Sequence, residues 1–275
     1  MRMGRTTSAG TVGLFSLFSV MMVALSLLPT LSHAALFWDD ELQAGTPFGV
    51  NFAIGIGAMA YDTNVKFSGS GSVRLNFPSS CQTLTTENQC GGSASRAIPQ
   101  TDDLYRRAYF RMSGAGPNPT NSGVFEVASA FTKMLRTTSN GISKLWWMMG
   151  CCGSKRFMVS LENVPPGSST NYNSSATLAD NRWYCIETHE KLNTPGVSNG
   201  ILQAWVDGVQ VLNVTNVMYR LSGNNNLWNN VAFFRQIGAG NMWWDRYAAG
   251  NTGLGCGGSG GQADTTPPTI PSGVR

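Results

Sequence analysis

The chain is poor in charge: 12% of its 275 residues are Asp, Glu, Lys or Arg, against 42% hydrophobic. Disordered chains show the opposite balance, so most of this one folds. No run of lysines or arginines occurs. Outside the first 34 residues there are 17 basic and 15 acidic side chains, a balance that does not point to nucleic acid. Histidine is nearly absent, with two in the whole chain, and there is no Cys-x-x-Cys, so a zinc site is disfavoured. A phosphate loop is also missing. No long amphipathic helix can be traced, which leaves strands as the bulk of the structure.

What is present begins with an export signal. Arg2 and Arg5 precede an apolar run over 12–28, and Ser32 and Ala34 are small residues at the positions a signal peptidase reads. Cleavage after Ala34 is expected, giving a secreted, extracellular protein with no later membrane span. The six cysteines (Cys81, Cys90, Cys151, Cys152, Cys185, Cys256) all follow that point. In an oxidising compartment an even number implies disulfides, with fifteen pairings open. Cys81 and Cys90 bracket a polar loop and are the favoured pair, and adjacent Cys151 and Cys152 each suit a distant partner.

Alternation with a period of two dominates the mature chain. Val73, Leu75 and Phe77 alternate with polar neighbours. So do the residues of 104–111, of Phe157 to Leu161, and of 183–193, 201–206, 209–214 and 231–237. Asp207-Gly208 between two apolar runs is a strong hairpin signal, because both turn positions need positive φ. Ten or more strands in one domain over 35–256 predict an all-β, two-sheet antiparallel jelly roll or β-sandwich. Residues 257–275 form a Gly/Ser/Thr/Pro linker whose Asp264 to Val274 stretch resembles the opening of a fibronectin type III module. A monomer is expected.

Arg182-Trp183-Tyr184-Cys185-Ile186-Glu187-Thr188-His189-Glu190-Lys191-Leu192-Asn193, followed by Gly200 to Gly208 with Trp205-Val206-Asp207-Gly208, resembles a hairpin of concanavalin A-like jelly rolls grouped with polysaccharide lyases. Leu36-Phe37-Trp38-Asp39-Asp40-Glu41 and Trp243-Trp244-Asp245 support the resemblance, which spans Leu36 to Ala249. It implies a carbohydrate-active protein that engages polysaccharide on one sheet face. The chain departs from the Tyr-Phe-Lys-x-Gly-x-Tyr stretch of such lyases, carrying Phe233-Phe234-Arg235-Gln236-Ile237-Gly238 without the tyrosine.

Alternation places Cys185, Glu187, His189 and Lys191 on one face of a strand, an unsuitable face for an apolar core. Tyr105, Arg107, Tyr109 and Arg111 make a second row, and Gln203 and Trp205 a third. Rings stack on sugars, and arginine pairs with uronate carboxylates. A lyase needs a carboxylate neutraliser, a base for the C5 proton and an acid for the leaving oxygen. Arg107, His189 and Tyr109 are the candidates for these roles, with Tyr105, Arg111, Glu187, Lys191, Gln203 and Trp205 binding substrate. The expected function is cleavage of a uronate-containing glycan by β-elimination, and the alternative is a glycan-binding module without chemistry. Hydrolysis fares worse, because the Glu-x-Asp-x-x-Glu strand of jelly-roll glucanases is absent. A copper site built on His33 as amino terminus with His189 would need a different cleavage point. The resemblance also implies a structural calcium, for which Asp39, Asp40 and Asp245 offer oxygens.

Overall fold

The structure, a computed structural model, describes residues 35–44, 48–55, 58–78, 90–113, 131–139, 144–150, 155–162, 164–165, 170–236 and 239–256. The expected signal segment, Cys81 of the expected Cys81–Cys90 pair, Cys151, Cys152 and the linker fall outside these residues. Among the described residues every regular element is a strand, and every strand pairing is antiparallel.

Two sheets result. The first runs in the order β13 (Val209–Val217), β12 (Gly200–Val206), β11 (Tyr184–Lys191), β6 (Asp103–Ser113), β15 (Gly240–Gly250), β4 (Ser72–Phe77) and β3 (Ala58–Asp62), with β1 (Leu36–Asp40) also paired to β15. The second runs β10 (Asn171–Thr177), β9 (Arg156–Glu162), β8 (Lys144–Met149), β7 (Thr132–Ser139), β14 (Trp228–Gln236), β5 (Cys90–Thr101) and β2 (Gly49–Gly55). This is the expected two-sheet jelly roll. The Asp207-Gly208 hairpin forms as its residues require, with φ of 51° and 81° and Val206 opposite Val209. The Asp207 carboxylate accepts the Cys185 amide at 2.8 Å, which fastens the turn to β11.

The inner faces meet in an aromatic core of Phe110, Trp147, Phe157, Tyr219, Trp228, Phe233, Trp244 and Tyr247, all essentially fully buried. Each such ring removed from water stabilises the fold by roughly 2–3 kcal/mol. β8 is buried on both sides: Leu145, Trp147 and Met149 join this core, while Trp146 and Met148 form a separate cluster with Phe131 and Met158 on the outward face of the second sheet.

Inside the core lies an ion pair. Arg106 of β6, 1% exposed, is bonded to Glu190 of β11, 0% exposed. Thr137 and the Trp147 indole donate to the same carboxylate at 2.6 and 2.7 Å, and Thr188 donates at 3.0 Å. Arg106 in turn donates to the Arg136 carbonyl at 3.0 Å and to the Tyr247 hydroxyl at 3.4 Å. Removing one partner of such a pair strands a buried charge at a cost of about 3–5 kcal/mol. Glu190→Ala is therefore expected to lower unfolding free energy by that amount in urea titration. A change below about 1 kcal/mol would mean that Arg106 finds another acceptor.

Candidate functional site

The outward face of the first sheet carries the rows expected from alternation. Cys185, Glu187, His189 and Lys191 lie beside Tyr109, Arg107, Tyr105 and Asp103 in strict register, and beside Trp205, Gln203 and Ile201 on the other flank. Four residues nevertheless separate Cys185, opposite Tyr109, from His189, opposite Tyr105. That is about 13 Å along a strand, so His189 and Tyr109 do not share one reacting atom.

At the Tyr109 end the face is closed by the chain itself. A disulfide joins Cys185 to Cys256, a pairing the sequence left open. Glu187 accepts the amides of Leu254 and Gly255 at 2.7 and 3.2 Å. The Tyr109 hydroxyl donates to the Cys256 carbonyl, and its ring stacks on Phe67 at 3.8 Å. Burial pushes this phenol above its ordinary range, against the pull of Arg107 and Arg246. Arg107 is 3% exposed and salt-bridged to Asp39 at 2.7 Å. Arg111 lies 5.5 Å from the Trp243 ring, and burial lowers its guanidinium. Expected as neutraliser, acid and binders, Arg107 lies against Asp39, Tyr109 and Glu187 against the segment 254–256, and Arg111 against Trp243.

At the other end His189, 5% exposed, stacks on Tyr105 with ring centroids 3.9 Å apart. Its Nδ1 meets Gln203 Oε1 and its Nε2 meets Asp103 Oδ1, both at 2.8 Å. Gln203 donates its amide to Asn213 at 2.8 Å, which turns its oxygen toward the imidazole. Both ring nitrogens are thus engaged by neighbouring side chains. Burial alone would raise the Asp103 carboxyl, but hydrogen bonds from His189 and Lys191 outweigh it and hold it below its ordinary value. Lys191 binds that carboxylate at 2.9 Å. Trp205, half-buried, sits opposite Glu187. Structure thus brings together His189, Tyr105, Lys191 and Gln203 with Asp103 and Asn213, which alternation did not single out.

The outward face of the second sheet carries a different constellation. Lys133 lies opposite Met148 and Arg136 opposite Trp146, while Leu135 faces Trp147 in the core. A β-bulge between Lys133 and Leu135 sends Met134 inward as well. Residues three apart would normally point to opposite faces, and the extra residue is what puts Lys133 and Arg136 on one. The Lys133 ammonium lies 3.8 Å from the Trp146 ring centroid and Arg136 lies 5.6 Å from it. Lys133, 4% exposed, also reaches Glu162 at 3.4 Å. Arg156, Met158, Ser160 and Glu162 alternate away from the core on β9, where Phe157, Val159 and Leu161 point inward. Lys133 and Arg136 of β7 and Arg156 of β9 share this face with the Glu162 carboxylate. Sequence reading missed this set for two reasons. The bulge breaks the period in β7, and Leu145 to Met149 shows no alternation because both faces are apolar.

The expected calcium ligands are not gathered. Asp39 pairs with Arg107, and with Arg246 at 3.7 Å. Asp40, adjacent on the strand and so on the opposite face, pairs with Arg96 at 3.2 Å. Asp245 accepts the Phe67 and Ser68 amides at 2.7 and 3.0 Å. Among the described residues no three Asp, Glu, His or Cys groups form a metal-binding cluster, and no helix is long and apolar enough to cross a membrane.

This sandwich recurs in solved structures. The cellulose-induced protein Cip1 matches with a TM-score of 0.55 and 16% identity over 80% of this chain and 100% of its own. An endo-β-1,4-glucuronan lyase from the fungus Trichoderma reesei matches at 0.53 and 13%, over 79% of this chain and 96% of its own. A marine PL-14 alginate lyase from Aplysia kurodai matches at 0.54 and 11%, over 78% and 99%. No protein-family model and no curated protein matches the sequence. The fold is therefore that of β-sandwich polysaccharide lyases, and at these identities the likeness speaks for the fold.

Burial, opposed by the Ser68 and Phe67 amides, raises the Asp245 carboxyl to about 7. A carboxyl raised in the folded state binds its proton more tightly there than in the unfolded chain. Its contribution is full below about pH 4 and is lost as pH rises toward 7. Asp245→Asn, which keeps an oxygen for both amides, should remove that loss. Relative to wild type it gains up to about 4 kcal/mol by pH 8 and little at pH 4. Thermal melts of both proteins across that range measure the difference, and parallel curves would disprove the assignment.

Proposed function

We propose that the chain is an exported polysaccharide lyase, processed after Ala34, that binds a uronate-containing glycan on the outward face of β7, β8 and β9 and cleaves it by β-elimination. The observation that carries this reading is the placement of Lys133 and Arg136 over the Trp146 ring. An acidic sugar carries a carboxylate, and two cations held beside the buried Trp146 ring, itself 4% exposed, are groups that answer it. The lyases of the same fold named above support the reaction class.

In the elimination a base takes the C5 proton, the electron pair becomes the C4–C5 double bond, and the O4 oxygen departs with a proton. Neutralising the carboxylate stabilises the developing negative charge. Arg136 is assigned to that carboxylate, and Lys133 with Glu162 can carry protons. A second reading, binding without chemistry, draws on the same Lys133–Glu162 contact, because each partner occupies the other.

Incubation with alginate and with glucuronan, followed by ultraviolet absorbance of the new double bond, tests the proposal. Wild type should show rising absorbance on at least one polymer. Arg136→Ala and Lys133→Ala should each lose about a hundredfold or more in kcat/KM, while His189→Ala stays within about threefold, its ring being held in place by Asp103 and Gln203. A flat wild-type trace would sink the lyase reading. Retention on immobilised polyuronate, lost in Trp146→Ala, would then establish the binding module.

A further inference from the structure

We infer that Arg106 and Glu190 are positioning residues for the face that carries Lys133 and Arg136. The inference rests on the proposed function above and adds how that face is assembled.

Both residues belong to the first sheet, yet much of their bonding is to the second. Arg106 donates to the Arg136 carbonyl, and Glu190 accepts from the hydroxyl of Thr137, the next residue along β7. The same carboxylate accepts from Trp147, whose neighbour Trp146 lies under the two cations. The pair thus grips β7 at two consecutive residues and β8 at a third, immediately beneath the proposed site.

That grip lies where the ladder is irregular. β7 shifts register against β8 between Lys133 and Leu135, and against β14 between Phe233 and Gln236. A one-residue slip turns every side chain of a strand to the other face. Moving the bulge from Met134 to the far side of Arg136 would therefore send Arg136 into the core. Bonds to the Arg136 carbonyl and the Thr137 hydroxyl fix the strand just downstream of the extra residue and hold the bulge upstream. Stability alone does not ask for charges here, because apolar side chains of similar volume commonly do as well or better. Fixing which residues face outward is work that an undirected apolar contact does poorly.

The test is the double substitution Arg106→Met with Glu190→Leu, which removes both charges and strands neither. Turnover on the polyuronate cleaved by wild type should fall about tenfold to a hundredfold while cooperative thermal unfolding is kept. The proton resonances of Lys133, shifted by the Trp146 ring current, should move toward ordinary lysine values, and those of core residues beside Trp244 should not. Wild-type turnover with an unmoved Lys133 signal would overturn the inference. Should the double variant fail to fold, Thr137→Val removes only the hydroxyl anchor, and an unchanged Lys133 signal there would overturn it equally. A wild type inactive on every polyuronate would defeat the proposed function instead, and the Lys133 resonance would still decide the positioning.

Discussion

Two opposite charges enclosed between sheets of aromatic side chains must be answered by hydrogen bonds, and Arg106 and Glu190 draw theirs from both layers. Thr188 comes from β11, Thr137 and the Arg136 carbonyl from β7, Trp147 from β8 and Tyr247 from β15. The Trp228 indole of β14 adds a bond to the Glu190 backbone carbonyl at 3.0 Å. Coulomb attraction alone would not offset taking both groups out of water, and the surrounding donors and acceptors make the arrangement tenable. The pair has a consequence for the whole sandwich. It ties strands far apart in sequence to one relative position, which a greasy interface would leave freer to slide.

It also settles which face of β11 is which. Tyr184, Ile186, Thr188 and Glu190 point inward, so Cys185, Glu187, His189 and Lys191 point outward. Alternation reached that outward row correctly, together with the Tyr105 to Arg111 row, the hairpin turn and the two-sheet class, because each depends on neighbours two or twenty residues away. It did not reach what covers the rows. Arg107 finds Asp39 68 residues earlier, and Tyr109 finds the Cys256 carbonyl 147 residues later. No local pattern reports such partners. A strand face rich in acid, amine and ring looks the same in sequence whether a ligand or the protein's own tail answers it.

The face over Lys133, Arg136 and Trp146 was hidden for the converse reason. Its residues are unremarkable in type, and what gathers them is a single inserted residue in β7. Period-two reading assumes an unbroken ladder, on which Lys133 and Arg136, three residues apart, would fall on opposite faces. Bulges are common where a sheet re-aims side chains toward a ligand, and a broken alternation flanked by two cations is the signal that would have pointed here. The double apolar run of β8 is the second clue. A strand buried on both faces needs something over its outer face, and in this case cations lie on the rings.

Charge compensation then distinguishes the two outward faces. On the first sheet Asp39 answers Arg107 and Arg246, and Asp103 answers His189 and Lys191. An acidic polymer approaching that surface would have to displace a carboxylate before gaining a cation, and the exchange gains little. On the second sheet Glu162 reaches Lys133 from 40% exposure and at 3.4 Å, a looser hold than the 2.7 Å grip of Asp39 on Arg107. A uronate carboxylate at the proposed site would compete with Glu162 for a lysine that is itself 4% exposed. The sheet likeness to lyases would suit either face equally well, so the choice rests on this difference in electrostatics. The first face holds Asp39 and the segment 254–256 in place, and the second is the face proposed above to meet an acidic glycan.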